Sequence, residues 1–325
     1  MLGLLALLAF LVGFSVHRGT NCSVVAARQL ARRRDPTRMT SFIAGAAIAM
    51  ALVMPLVWAH PETFKAASSF TLTWAPVVGG AFYGLGALVN GACALGTLVR
   101  ISEGRIAFLA TFPGICLGGY LAIRFNLASF RGEPVPAVMA TSGAPQIAAV
   151  ISAAIIAVAA LHKTTSSLER ARYGLKSLLK AARWRPIMSM LITGSAAGLA
   201  FSITDAWAWP ALMRRVAQVA AGAPPDFPAA LLIGPVALLG GGFAASWVSG
   251  RLRLRVRGYR QAVQSFAGGI IMGLSAALIP GGNDVMLLHD LPSLALSGIV
   301  AYAAMFAVLV PTLALMRKLK TVPSP

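Results

Sequence analysis

Long apolar runs separated by short blocks of arginine constrain this chain more than any other feature. Nine segments, 2–17, 40–59, 74–99, 106–125, 144–161, 187–206, 229–250, 264–283 and 296–315, are apolar over most of their length. A helix needs about 20 such residues to cross the hydrocarbon core of a bilayer, and fewer where it does not cross fully. With 58% hydrophobic and 11% charged residues, against about 25% charged in an ordinary soluble domain, the chain is neither a cytosolic enzyme nor a disordered or disulfide-stapled secreted protein. The expected fold class is an all-α integral membrane protein of about nine transmembrane helices, with the third and eighth segments broken by Gly and Pro. Its 32 glycines suit helices packed closely in lipid, where small residues let backbones approach. The opening MLGLLALLAFLVGF has neither a basic leader region nor a small-residue cleavage site and reads as a retained first span.

The formal charge is +19, from 28 basic and 9 acidic residues. On a soluble domain this would suggest nucleic acid. Here the charge lies in blocks between apolar runs, as the positive-inside rule requires, and implies no nucleic-acid partner. Segments 18–38 (Arg18, Arg28, Arg32, Arg33, Arg34, Arg38), 162–186 (Lys163, Arg170, Arg172, Lys176, Lys180, Arg183, Arg185), 251–260 and the tail with Arg317, Lys318 and Lys320 are expected on the cytoplasmic side. An odd number of crossings must then separate an outside loop at 60–73 from 162–186, so 74–99 counts as one broken crossing. The same logic makes 264–283 a crossing. Four spans, a connecting span and four inverted spans result: residues 1–125, a connection at 126–186, and 187–325. The repeat shows weakly in sequence, where GGAFYGLGALVNGAC (79–93) shares its Gly spacing with GGIIMGLSAALIPGG (268–282). Paired broken helices in inverted repeats are how many transporters build a site near the midplane, although such Gly spacing also arises in ordinary helix packing.

Walker, H-E-x-x-H and G-x-S-x-G motifs are absent, as is any metal-ligand spacing, so the sequence implies neither an enzyme nor a cofactor. His17, His60, His162 and His289 lie near span ends and read as interfacial. The three cysteines, Cys22, Cys93 and Cys116, show no paired spacing and read as free thiols. Most informative is Asn90-Gly91-Ala92-Cys93-Ala94-Leu95-Gly96. A helix break inside a membrane is tolerated only where it lines a cavity or is buried in protein, and the N-terminus of the following half-helix attracts anions. Cys93 at that break offers a weak donor and a soft sulfur, suited to a sulfur-bearing anion; it reads equally as a small buried hydrophobe. Cys22 is a thiol at the cytoplasmic mouth of a path, or an incidental residue in a Thr20-Asn21 capping turn. Cys116 reads as packing. Arg100, in R-I-S-E-G-R with Glu103 and Arg105, belongs to a solvated loop or neutralises an anion leaving the site. Asn283, after Gly281-Gly282, has the position of a substrate hydrogen-bonder. Asp284, His289 and Asp290 read as an outside loop, with a proton-coupling role for Asp284 as the other reading, and Asp205 is ambiguous in the same way.

GFSVHRGTNCSVV (13–25) and GGAFYGLGALVNGACALGTLVRISEGRIAFLATFPGICLGG (79–119) resemble the YeeE/YedE family of sulfur-compound transporters, which includes thiosulfate permeases. The resemblance implies an inverted-repeat helical fold with short membrane-embedded helices. It also implies passage of thiosulfate along cysteines by S–H···S hydrogen bonds, without covalent chemistry. Cys22 and Cys93 match family cysteines, and Gly91 and Gly96 match the surrounding glycines. The second half departs: where family members often carry another Gly-Cys pair this chain has Gly281-Gly282-Asn283, and no cysteine follows Cys116. Cys93 aligns with Gly282. The expectation is a permease in a bacterial inner membrane for a sulfur-containing anion, foremost thiosulfate. The alternatives are a membrane partner exchanging sulfur with a soluble sulfur-carrier protein docked on the basic loops, or a transporter of another small anion.

Overall fold

The structure, a computed structural model, describes residues 1–170, 181–204, 206–255, 258–279 and 281–320. It is an all-α membrane protein. Eight of its helical segments among the described residues are long and apolar enough to cross a membrane. In order the helices are α1 (Leu2–Gly19), α2 (Ser23–Arg33), α3 (Thr37–Ala59), α4 (Ala75–Asn90), α5 (Ala94–Ser102), α6 (Thr111–Arg124), α7 (Ala144–Arg170), α8 (Pro186–Ile203), α9 (Trp209–Ala220), α10 (Ala229–Val248), α11 (Tyr259–Ser275), a short stretch α12 (283–293) containing the π turn Met286–Asp290, and α13 (Leu296–Lys320). Ser68–Phe70 (β1) pairs antiparallel with Pro134–Pro136 (β2) across two loops. The eighth segment, 264–283, is broken as expected, but its bounds shift: α11 starts at Tyr259 and ends at Ser275 after 17 residues, and the helix resumes at Asn283. The amphipathic α9 and the two-stranded sheet lie where the sequence indicated only loops. Asp205, Pro280 and the centre of the basic loop 162–186, including Arg172, Lys176 and Lys180, lie outside the described residues.

Helix partners recur in the two halves. α1 packs on α10 as α8 packs on α3, α6 on α11 as α13 on α4, and α9 on α6 as α2 on α13, while α1 meets α8 and α4 meets α11. Small residues set these distances. A Cβ on Gly13 would strike the Leu238 carbonyl, and one on Gly241 the Phe10 carbonyl, so α1 and α10 touch backbone to backbone. By contrast α7 packs mainly on α3 and turns Ile147, Ile151, Ile155, Val158 and Leu161 outward, the face of a helix against lipid. Cys22, Cys93, Ala94 and Met286 belong to the main buried core, where α2, α5 and α12 all begin.

Candidate thiol site at converging helix starts

Two chain reversals inside the bundle bring the expected residues together. At the first, Thr20 takes a left-handed conformation (φ 53°), Asn21 follows, and extended Cys22 caps α2. Arg38 holds this turn by donating to the carbonyls of Gly19 (2.9 Å) and Thr20 (3.0 Å), and Asn21 donates to Ser189 Oγ at 2.6 Å. At the second, α4 stops at Gly91, whose φ of 80° is costly for any residue with a Cβ, and Cys93 caps α5. Asn90 secures this break. Its Nδ2 donates to Ala92 O (2.8 Å) and Thr97 Oγ1 (3.0 Å), its Oδ1 accepts from Thr111 (3.0 Å), and Gln261 donates to its carbonyl (3.3 Å). In lipid such partners are what make interrupted backbone tolerable.

The two reversals meet. Cys93 donates its thiol to Cys22 Sγ at 3.5 Å, and the Ser23 N–H donates to Cys93 Sγ at 3.3 Å. Asn283, at the start of α12, closes the group: its Oδ1 accepts from the Ala94 N–H (3.2 Å) and the Tyr83 hydroxyl (3.4 Å), and its Nδ2 donates to Ser23 Oγ (3.2 Å). Gly96 is one turn along α5, and a Cβ there would collide with Cys22 Sγ, so glycine is what lets the two sulfurs sit side by side. The first N–H groups and positive dipole ends of α2 and α5 thus point at two neighbouring thiols, an arrangement that favours an anion with a polarisable sulfur. Cys22 is no mouth residue: it is 3% exposed and Cys93 0%. Cys116 lies elsewhere, against Met213.

A cavity of about 400 Å³ opens on the face opposite the arginine-rich segments. Tyr83, Gly282 and Asp284 line its inner end, and Arg131 and Arg214 stand in its wall. Asp284, His289 and Asp290 are not an outside loop but buried residues of α12 that line this cavity (3%, 5% and 1% exposed). The interfacial reading of the histidines fails for His289, which stacks on Phe201 with ring centroids 5.4 Å apart, and for His17, buried on α1. On the basic face the R-I-S-E-G-R turn is not a solvated loop either. Glu103 is buried and pairs with Arg251, with Arg105 at 3.4 Å and with Arg100 at 3.7 Å. Arg100 lies seven residues beyond Cys93, about 10 Å along α5, and its charge is engaged by Glu103 rather than aimed at the thiols.

Comparison with known proteins decides the family. A family model described as sulphur transport matches residues 18–310. The chain belongs to that family. It is also 23% identical to the thiosulfate transporter TsuA of Escherichia coli (strain K12) over 306 residues, covering 85% of this chain and 84% of that one. For a sulphur-transport protein, the informative feature is what stands where a second-half thiol is absent. Gly282 has nearly the backbone of Cys93 (φ −69°, ψ 176° against φ −79°, ψ −178°) and precedes its helix in the same way. A Cβ on Gly282 would lie 2.5 Å from Asp284 Oδ1 and 3.2 Å from the Tyr83 hydroxyl, so a carboxylate and a phenol fill the space a side chain at 282 needs. Sequence reading missed Tyr83, Ser23 and Arg38. Tyr83 had a signal, being the one polar side chain in the run 79–89; Arg38 was read only as topology.

Proposed function

We propose that this protein is a bacterial inner-membrane permease for a sulfur-containing anion, with thiosulfate the foremost substrate, and not an enzyme. The observation that carries the reading is the Cys22–Cys93 pair, 3.5 Å apart and buried where α2 and α5 begin. In this reading the anion enters the cavity past Arg131 and Arg214, displaces Asn283 Oδ1 from the Tyr83 hydroxyl and the Ala94 N–H, and rests on the Ser23 and Ala94 N–H groups with its terminal sulfur toward the thiols. Asn90, Gly91 and Gly96 shape the site, Gly282 and Asn283 close it from the second half, and Arg100 serves through Glu103. The alternating helix partners support an inverted repeat of 1–125 and 187–325 around the connection at 126–186. A matched pair of bundles of this kind exposes a central site first to one side and then to the other.

Burial of both cysteines favours permeation over sulfur exchange with a soluble carrier protein, which would need a thiol reachable from the basic face. The test is uptake of labelled thiosulfate into proteoliposomes, with unlabelled sulfate and sulfite as competitors. Saturable uptake displaced by unlabelled thiosulfate and not by sulfate is expected. Folded protein that takes up none overturns the reading, and equal competition by sulfate overturns the role of sulfur softness.

A further inference from the structure

We propose that Asp284 is a proton-binding residue that couples proton entry to anion entry, an inference that rests on the permease reading above. Asp284 is 3% exposed, lines the inner end of the 400 Å³ cavity, and its Oδ1 accepts no hydrogen bond among the described residues. A carboxylate oxygen left without a donor in a low-dielectric interior is costly, and ionisable groups inside membrane proteins are rare outside ion and proton paths.

Its position gives the charge a consequence. Asp284 adjoins Gly282 and Tyr83, and Asn283, the next residue back, bonds directly to the Ala94 N–H beside Cys93. Asp284 thus stands between the cavity wall and the residue that bonds beside the thiols. Ionised, Asp284 repels a dianion across a few ångströms of poorly screening protein. Protonated, it is neutral and that repulsion is gone. The proton and the anion therefore favour each other's binding, which is the condition for coupled transport.

Other titratable groups surround it. Tyr83 approaches from α4 and Cys93 precedes α5; α13, packed on the π turn, carries Tyr302, and α8 contributes Phe201 against His289. His289 and Asp290 share its element and the cavity. Of the two cavity arginines, Arg131 turns its guanidinium to the Ala277 carbonyl (2.8 and 3.1 Å) and over the Phe70 ring at 4.9 Å.

The experiment uses full-length protein in proteoliposomes with three readouts: exchange of labelled thiosulfate at equal pH, net uptake against external pH, and proton entry on adding thiosulfate, followed by a trapped pH dye. The wild type should exchange, take up thiosulfate several-fold faster from a mildly acidic exterior, and admit protons only when thiosulfate is present. Asp284→Asn should keep exchange while losing the acid stimulation and the proton entry; Asp284→Glu should keep all three. Wild-type exchange without proton entry overturns the inference and leaves the permease reading standing. So does proton entry retained in Asp284→Asn, or loss of exchange in a folded Asp284→Asn. If Asp284→Asn does not fold, Asp284→Glu decides, since failure of that variant to admit protons while exchanging is equally fatal. Absence of wild-type exchange overturns the permease reading and this inference with it.

Discussion

Asn283 joins both halves of the molecule at the thiol pair, and the energetic weight of the site rests on such contacts. It satisfies the Ala94 N–H, the Tyr83 hydroxyl and the Ser23 hydroxyl. Truncating one partner of a buried hydrogen bond costs about 1–3 kcal/mol for each group left unsatisfied. Asn283→Ala is therefore expected to lower the melting temperature in detergent as well as uptake, whereas Cys116→Ala, outside the site, should alter neither. Gly96→Ala is a sharper probe of geometry. Alanine suits a helix, so its added methyl should stabilise α5 by about 1 kcal/mol if the space were open. Because that methyl meets Cys22 Sγ, the expected result is the opposite: reduced stability and a lost or slowed uptake, measured against wild type in the same vesicles.

At the scale of elements, the break between α4 and α5 was legible because Asn-Gly interrupts an otherwise continuous apolar run and glycine alone takes φ 80° cheaply. The end of α11 at Ser275 was not. Ala276, Ala277, Leu278 and Ile279 continue the apolar pattern up to Pro280, so the sequence placed the break at Pro280-Gly281-Gly282, a turn later than the helix end. Burial of α12 was hidden for a related reason: Asp284, His289 and Asp290 have the composition of a loop, and nothing local signals that the chain re-enters the bundle. The charge cluster after α5 misled in the same direction, since Glu103 draws its partner Arg251 from the end of α10, 148 residues away. That contact yields a prediction. Glu103→Gln leaves three arginines without their carboxylate and should destabilise the fold by about 3 kcal/mol. Arg100→Gln, removing the most distant partner at 3.7 Å, should cost far less. Thermal melts of the two variants in one detergent compare them directly.

The whole molecule is asymmetric across the membrane. One face has an open cavity with Arg131 and Arg214, while on the other the ends of α1, α5 and α10 are tied through His17, Glu103 and Arg251. Bringing a dianion inward against an inside-negative potential costs about 4.6 kcal/mol at 100 mV, twice the cost for one charge. By the positive-inside rule the arginine-rich segments are expected on the cytoplasmic side. A cysteine placed in loop 60–73 should accordingly react with an impermeant reagent added outside right-side-out cells, and one in 251–255 only after permeabilisation. The central claim is that the buried thiol pair holds the transported anion. It is tested most directly by the initial rate of labelled thiosulfate uptake in Cys93→Ala, in vesicles matched to wild type for folded protein. The rate should fall to that of protein-free vesicles, and a wild-type rate would contradict the account.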